Sequence, residues 1–345
     1  MAISLPAGVY RIGLPMHHLI EVRNIKQYFT TRKFLFRQPL WIRAVDDVSF
    51  HIKEGETLGL VGESGCGKTT IGLLILRLLQ PTEGNIVFQD RNIFNLPRNE
   101  LLRFRRDVQI VFQDPYSSLN PRKTVEQVLS RPYRIHGIAK KKVDVREMVE
   151  SILDDVGLTP PEFFLNKYPH EMSGGQRQRV AIARAIALKP KLIIADEAVS
   201  SLDVSIRAQI LNLMKDVQKR YKLAYLFITH DLATLRSVSH RVAVLYLGKL
   251  VEVGTTEEIL KNPLHPYTKS LLASVPVADP VYSRQREPIV LSGDMPSPIS
   301  PPSGCRFHTR CPFVKEICIS EEPVMVDCEN NHSVACTLYS EELPI

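Results

Sequence analysis

The chain has 345 residues, 44% hydrophobic and 23% charged, the balance of an ordinary globular protein with room for two or three domains. A formal charge of +7 suits nucleic acid, anionic lipid head groups or plain solubility and selects none of them. No apolar run approaches the ~20 residues of a bilayer crossing, and the N-terminal MAISLPAGVYRIGLPMHH lacks a charged region leading into an apolar one, which excludes a spanning helix and a secretory signal.

Residues 19–29 and 44–53 alternate as strands do. GETLGLVG is an apolar strand running into a glycine-rich turn, and TTIGLLILRLLQ is a helix stopped by Pro81. Between them, Gly62-Glu63-Ser64-Gly65-Cys66-Gly67-Lys68-Thr69 fits the phosphate-loop pattern G-x4-G-K-S/T. Its glycines let backbone N–H groups fold round a phosphate, Lys68 reaches the terminal phosphates, and the Thr69 hydroxyl can ligate Mg2+. The positive end of the helix that follows adds to this. PTEGNIVFQD reads as a turn and a strand, and VQIVFQDP as a second short strand. From about 116 to 189 the pattern is helical. Within it, Ser173-Gly174-Gly175-Gln176 opens a strong helix ending at Lys189-Pro190. Ser and Gln at this spacing form a capping box. The two glycines cost helix stability but clear space for a ligand at bare N–H groups.

KLIIADE and LAYLFITHD are continuous apolar strands, suited to a parallel sheet buried on both faces. The first ends in Asp196 and Glu197, at the sheet edge where ligands bind in open α/β folds. Asp196 is placed to hold Mg2+ and Glu197 to polarise an attacking water. VAVLYLGKLVEVG reads as a β-hairpin. After about 262 the composition shifts to a short helix (HPYTKSLLASVP), a stiff connector (PSPISPP) and a tail holding five of the six cysteines, with Cys66 alone in the loop. Strands alternating with helices make this an α/β protein with a parallel sheet and a helical insertion.

MSGGQRQRVAIARA, lying after a phosphate loop and shortly before the Asp-Glu strand, resembles the signature motif of ABC ATPases, and the motif order from about 19 to 260 resembles that family. The resemblance implies a RecA-like P-loop NTPase core with a mixed sheet, an antiparallel β edge, an inserted helical subdomain and a small C-terminal extension. The implied division is 1–18 as an N-terminal extension, 19–115 with 190–261 as the core, 116–189 as the signature subdomain and 262–345 as the extension. It also implies a head-to-tail dimer in which Ser173, Gly174, Gly175 and Gln176 act on the γ-phosphate held by the partner. Gln113 then resembles the Q-loop glutamine at Mg2+ or the water, His230 the switch histidine against the γ-phosphate, and Ser201-Leu202-Asp203 the D-loop crossing the dimer interface. Tyr28 stands where the family stacks an aromatic on adenine, and Thr70 joins the nucleotide-binding set. One departure is Ala198, where the family usually has Pro after the catalytic Glu; this frees a φ angle but removes no reacting group.

VFQDPYSSLNPR, ADEAVSSLDVSIRAQILNLM, NPLHPYTKSLLASVP and GCRFHTRCPF resemble the peptide and nickel uptake branch of the ABC importers, most closely the second ATPase of dipeptide and oligopeptide systems. Peptide import is favoured over nickel. The implied setting is the cytoplasmic face of the inner membrane, with two transmembrane permease subunits, a second ABC ATPase forming a heterodimer and, indirectly, an extracytoplasmic solute-binding protein. Cys305, Cys311, Cys318 and Cys336 are spaced C-x5-C-x6-C-x17-C. Four thiolates can hold a [4Fe–4S] cluster or a tetrahedral zinc, and the spacing matches neither the ferredoxin runs nor paired C-x-x-C. The branch includes members with an iron–sulfur cluster in this region, which implies one here; zinc, or four reduced cysteines, are the alternatives, with Cys328 a bystander. The basic runs Arg98–Arg106 and Arg131–Arg146 have few interleaved aromatics and read as solvated helix faces near a membrane, not as a nucleic-acid site.

A soluble ABC protein of DNA repair or translation is the rival reading, but the long coiled-coil insertion or second cassette of such relatives is absent. A GTPase would carry N-K-x-D, whereas Asn166-Lys167 is followed by Tyr168-Pro169. A non-enzymatic module should have lost a catalytic element, and Lys68, Asp196, Glu197 and His230 are all present.

Overall fold

The computed structural model describes residues 18–30, 39–138, 141–274 and 293–340. The N-terminal extension expected at 1–18 lies outside them except for His18. Strands β1 (His18–Thr30), β2 (Trp41–Lys53), β4 (Glu83–Phe88) and β5 (Arg91–Asn92) make an antiparallel sheet in the order β2-β1-β4-β5. A second sheet has the order β11-β12-β10-β9-β3-β8-β7-β6. Its members are β3 (Thr57–Val61), β6 (Val108–Val111), β7 (Leu192–Asp196), β8 (Ala224–Thr229), β9 (Arg241–Tyr246), β10 (Lys249–Thr255), β11 (Val326–Cys328) and β12 (His332–Val334). The β6-β7-β8-β3-β9 stretch is parallel and the remainder antiparallel, so the sheet is mixed.

Every residue of β3, β7 and β8 is buried, as their unbroken apolar sequences require. Because side chains alternate along a strand, the sheet feeds two cores. Leu192, Ile194, Leu226 and Ile228 face the core shared with the antiparallel sheet and helix α1 (Lys68–Ile75). Ile193, Ala195, Tyr225 and Phe227 face the core shared with the inserted helices. Those helices are α4 (Val125–Ile135), α5 (Lys142–Asp155), α6 (Glu162–Leu165) and α7 (Gly174–Ile186), preceded by α2 (Arg98–Asp107) and a single turn, α3 (Pro115–Ser118). Helices α8 (Val204–Tyr221), α9 (Leu232–Val238), α10 (Thr256–Lys261) and α11 (Pro266–Ala273) follow.

Two elements differ from their sequence reading. Helix α1 stops at Ile75, short of the Pro81 boundary, because Arg77 takes a left-handed φ of 52° and its guanidinium donates to the Phe94 and Leu96 carbonyls. The tail is joined to the core: β12 pairs with β10 through Glu252↔Val334 and Val253↔Ser333, so the large sheet continues into the C-terminal extension. The β9–β10 hairpin turns on Leu247 and Gly248, both at positive φ, as a tight two-residue turn demands.

Candidate functional site

The phosphate loop leaves β3 at Val61 and enters α1 at Lys68. Its close packing explains two of its glycines. A Cβ on Gly62 would lie 2.1 Å from the Leu245 carbonyl oxygen, and one on Gly67, at φ 109°, 2.2 Å from that of Ala44. The Lys68 ammonium is buried and donates to the carbonyls of Gly62 (2.7 Å) and Glu63 (2.8 Å), 3.7 Å from the Cys66 sulfur. Helix α1 has no side-chain cap, so its first N–H groups face the loop. Thr69 donates its hydroxyl to Asp196 Oδ1 at 3.2 Å, across from the end of β7. Burial raises the Asp196 pKa and the adjacent Glu197 charge adds to this, while Thr69 and Lys68 act the other way.

Glu197 lies one residue beyond β7 in the left-handed region, at φ 47°, with its N–H donated to the Ile228 carbonyl at 2.9 Å. A non-glycine residue held at such a φ costs stability and is kept there by its surroundings. Its two carboxylate oxygens have separate partners. Gln113 donates to Oε2 at 2.9 Å, and His230 Nδ1 lies 3.3 Å from Oε1. The structure therefore gathers two adjoining sets, Lys68–Thr69–Asp196 and Gln113–Glu197–His230, from β3–α1, the β6 exit, the β7 exit and the β8 exit. Ala198 behind them is buried.

Other candidates lie further off. Ser173 caps α7 and shares a reciprocal capping box with Gln176, at 3.3 and 3.1 Å. The added Cβ of Gly174 would face Leu202, and that of Gly175 would meet Ile206 at 2.8 Å, so 173–176 pack against the start of α8 in their own chain. Asp203 caps α8 by accepting from Ile206 N–H and Ser205, which holds its carboxyl below the usual range; Ser201 is exposed. Tyr28 pairs with Arg43 in the neighbouring strand, one residue from the Ala44 carbonyl that abuts Gly67. Its hydroxyl donates to Asp46 at 2.5 Å, the Arg43 guanidinium lies 5.9 Å from its ring, and burial pushes its pKa up to about 12.

A further layer of residues, marked by no phosphate-loop or signature motif, lies behind the loop: Asp46, Tyr246, Tyr267, Arg306 and Arg310. The Glu63 carboxylate accepts from Arg310 at 3.1 and 3.2 Å, and its backbone N–H donates to the Tyr267 hydroxyl at 2.9 Å. The two arginines carry a signal in the sequence, since each adjoins a cysteine in GCRFHTRCPF.

Cys305, Cys311, Cys318 and Cys336 line one small cavity with His265, Phe307 and His308. All are free thiols. Each sulfur accepts a backbone N–H: Cys305 from Phe307, Cys311 from Phe313, Cys318 from Lys315 and Cys336 from Leu338. Burial pushes the Cys305 thiol up to about 11 and raises Cys311 and Cys336 as well. Among the described residues, no three His, Cys, Asp or Glu side chains are grouped to hold a single metal ion. Cys328 lies apart, along a groove with Glu258, Asn262 and Tyr339. None of the helices among the described residues is long and apolar enough to cross a membrane.

Residues 45–200 match the ABC transporter family model, and residues 251–318 match that of the oligopeptide/dipeptide transporter C-terminal region. The chain is 51% identical to the oligopeptide transport ATP-binding protein AppF of Bacillus subtilis, over 93% of this chain and 98% of that one. It is 44% identical to the oligopeptide transport ATP-binding protein OppF of Escherichia coli, over 92% and 95%. Among solved structures, it is similar to the dimeric ATP-binding cassette MJ0796 in a post-hydrolysis state with ADP and Pi. That likeness has a TM-score of 0.60 at 30% identity and covers 69% of this chain and 98% of the other.

Proposed function

Because the chain belongs to the ATP-binding subunits of ABC transporters, in the branch of the oligopeptide transport ATP-binding proteins, we propose that its ATPase activity drives di- and oligopeptide uptake through separate transmembrane subunits. The observation that carries the catalytic part is the placement of Gln113 and His230 on the two oxygens of Glu197, beside the Thr69–Asp196 contact.

Bound ATP would lie with its phosphates in the backbone N–H groups of 62–70, Lys68 on the terminal phosphates and Tyr28 against the adenine. The oxygens of Thr69, Asp196 and Gln113 fit Mg2+, which takes few protein oxygens beside phosphate and water. When bound, it supplies charge neutralisation on the phosphates. Glu197 accepts a proton from the attacking water as the new oxygen–γ-phosphorus bond forms and the bond from phosphorus to the β–γ bridging oxygen breaks, leaving ADP and phosphate. Gln113 and His230 fix the Glu197 carboxylate, and His230 faces the γ-phosphate. Ser173, Gly174, Gly175 and Gln176 act on the nucleotide of a partner ATPase, with Ser201-Leu202-Asp203 at the shared interface. In this arrangement 19–115 with 190–261 is the core, 116–189 the signature subdomain and 262–345 the extension.

The partners are two permease subunits and a second, related ATPase at the cytoplasmic face of the membrane, with a solute-binding protein acting at a distance. For the cysteines we favour a structural [4Fe–4S] cluster on Cys305, Cys311, Cys318 and Cys336. Four thiols on one cavity, each sulfur taking an N–H hydrogen bond, form a donor set suited to such a cluster.

Glu197→Gln keeps size and hydrogen bonding but cannot take the proton. Steady-state hydrolysis should fall at least about a hundredfold while ATP remains bound. Undiminished turnover removes Glu197 as the base.

A further inference from the structure

We propose that Arg306 and Arg310 of the C-terminal extension are positioning residues for the nucleotide site, so that nucleotide affinity is set partly by the cysteine-bearing segment. This rests on the reading that the loop at 62–69 binds ATP.

Glu63 is held at three points. Its carbonyl accepts from Lys68 (2.8 Å), its N–H donates to the Tyr267 hydroxyl (2.9 Å), and both its carboxylate oxygens take the Arg310 guanidinium. Two of these three anchors lie beyond residue 261. Arg310 is 9% exposed, with Nη1 also 3.5 Å from the Tyr246 hydroxyl. Tyr267 is fully buried and packs against Tyr246 and Phe307. The extension thus fixes the second residue of the phosphate loop, whose carbonyl in turn aims the lysine.

Arg306 works on the other side. Its buried guanidinium donates to the Leu247 carbonyl and to the Asp46 carboxylate. Asp46 also accepts the Tyr28 hydroxyl, and its N–H donates to the Gly248 carbonyl at 2.9 Å. Gly248 donates its own N–H to the Cys66 carbonyl at 2.9 Å, inside the loop. Arg306 follows Cys305, and Arg310 precedes Cys311. Two neighbours of the cysteine cavity therefore reach the adenine side and the phosphate side of one site.

A backbone cradle binds well only if it is ordered beforehand, since ordering on binding is subtracted from affinity. Arg310 has a second effect: it neutralises a carboxylate beside the place where the phosphates sit, and without it Glu63 repels them. The two effects give a coupling test. ADP is titrated calorimetrically into the full chain, and KM and kcat for ATP are measured in parallel. Arg310→Ala should weaken ADP binding about tenfold, the scale of a lost hydrogen bond to a charged group. KM should rise with little change in kcat. Glu63→Ala combined with Arg310→Ala should bind ADP no worse than Arg310→Ala alone, because the repelling charge has gone. Tyr267→Phe, which keeps the ring packing, should weaken binding in the same direction and stands in if Arg310→Ala does not fold. If both single variants bind ADP within about twofold of the unaltered chain, the ordinary scatter of independent sites, the proposal is overturned. It is overturned too if the double variant binds ADP more weakly than Arg310→Ala alone. An unaltered chain that binds no ADP sinks the ATP reading instead, a separate result.

Discussion

At Asp196 burial works against the ionised carboxylate that a nucleotide-bound cation needs, and the Glu197 charge beside it adds to the penalty. The folded pKa is raised, so the native state holds this proton more tightly than the unfolded chain does. Stability from this group is therefore present below the ordinary carboxylate range and lost as pH rises through the shifted value. At neutral pH the empty site is strained electrostatically. Asp196→Asn removes the charge and keeps an oxygen for Thr69, so the empty protein should melt at a higher temperature while hydrolysis falls at least about a hundredfold. A lower melting temperature would mean that Thr69 and Lys68 outweigh burial. Lys68, Asp196 and Glu197 were legible in the sequence because each ends or begins a buried apolar element. The left-handed backbone of Glu197 was not, since glutamate carries no signal for positive φ. Nor was the Gln113–Glu197 contact, which joins residues 84 positions apart and exists only because β6 lies beside β7.

At the scale of elements, the strands with continuous apolar sequence were readable and the short ones were not. β3, β7 and β8 are buried on both faces, so their composition alone marks them. β11 and β12 are three residues each, too short to alternate, and are fixed by distant partners. His332 Nε2 lies 2.7 Å from the fully buried Glu252, which also accepts the N–H groups of Leu264 and His265. That knot draws the hairpin onto the core sheet and brings Cys336 round to the cavity of the other three cysteines. The sequence grouped Cys336 with the other three, but not the route by which it reaches them, through β12 and its pairing with β10. If the cavity holds a cluster, protein purified without oxygen should be brown and carry about four irons per chain. Colourless, iron-free protein would remove the cluster, and stoichiometric zinc would put the alternative in its place.

In the whole molecule the nucleotide loop and the signature do not meet. Ser173 and Gln176 are satisfied by each other, and Gly174 and Gly175 rest against the start of α8. The signature and the phosphate loop thus stand apart in one chain. In the proposed head-to-tail pair, a second ATPase would bring its signature to this loop and its loop to this signature. Phe112 and Tyr116, exposed on either side of Gln113, add an apolar surface directly tied to the Glu197 carboxylate. A permease docked there would sense the catalytic residue through a single side chain. Isolation of the tagged chain from its native membranes in mild detergent should therefore bring down two multi-spanning proteins and a related ATPase, identified by mass spectrometry. A second copy of this chain in place of that ATPase would keep the site geometry and remove the heterodimer. If only soluble or nucleic-acid partners are recovered, peptide transport goes, whereas ATP hydrolysis still stands, because the proposed chemistry at Glu197 requires nucleotide and water and not the solute being moved.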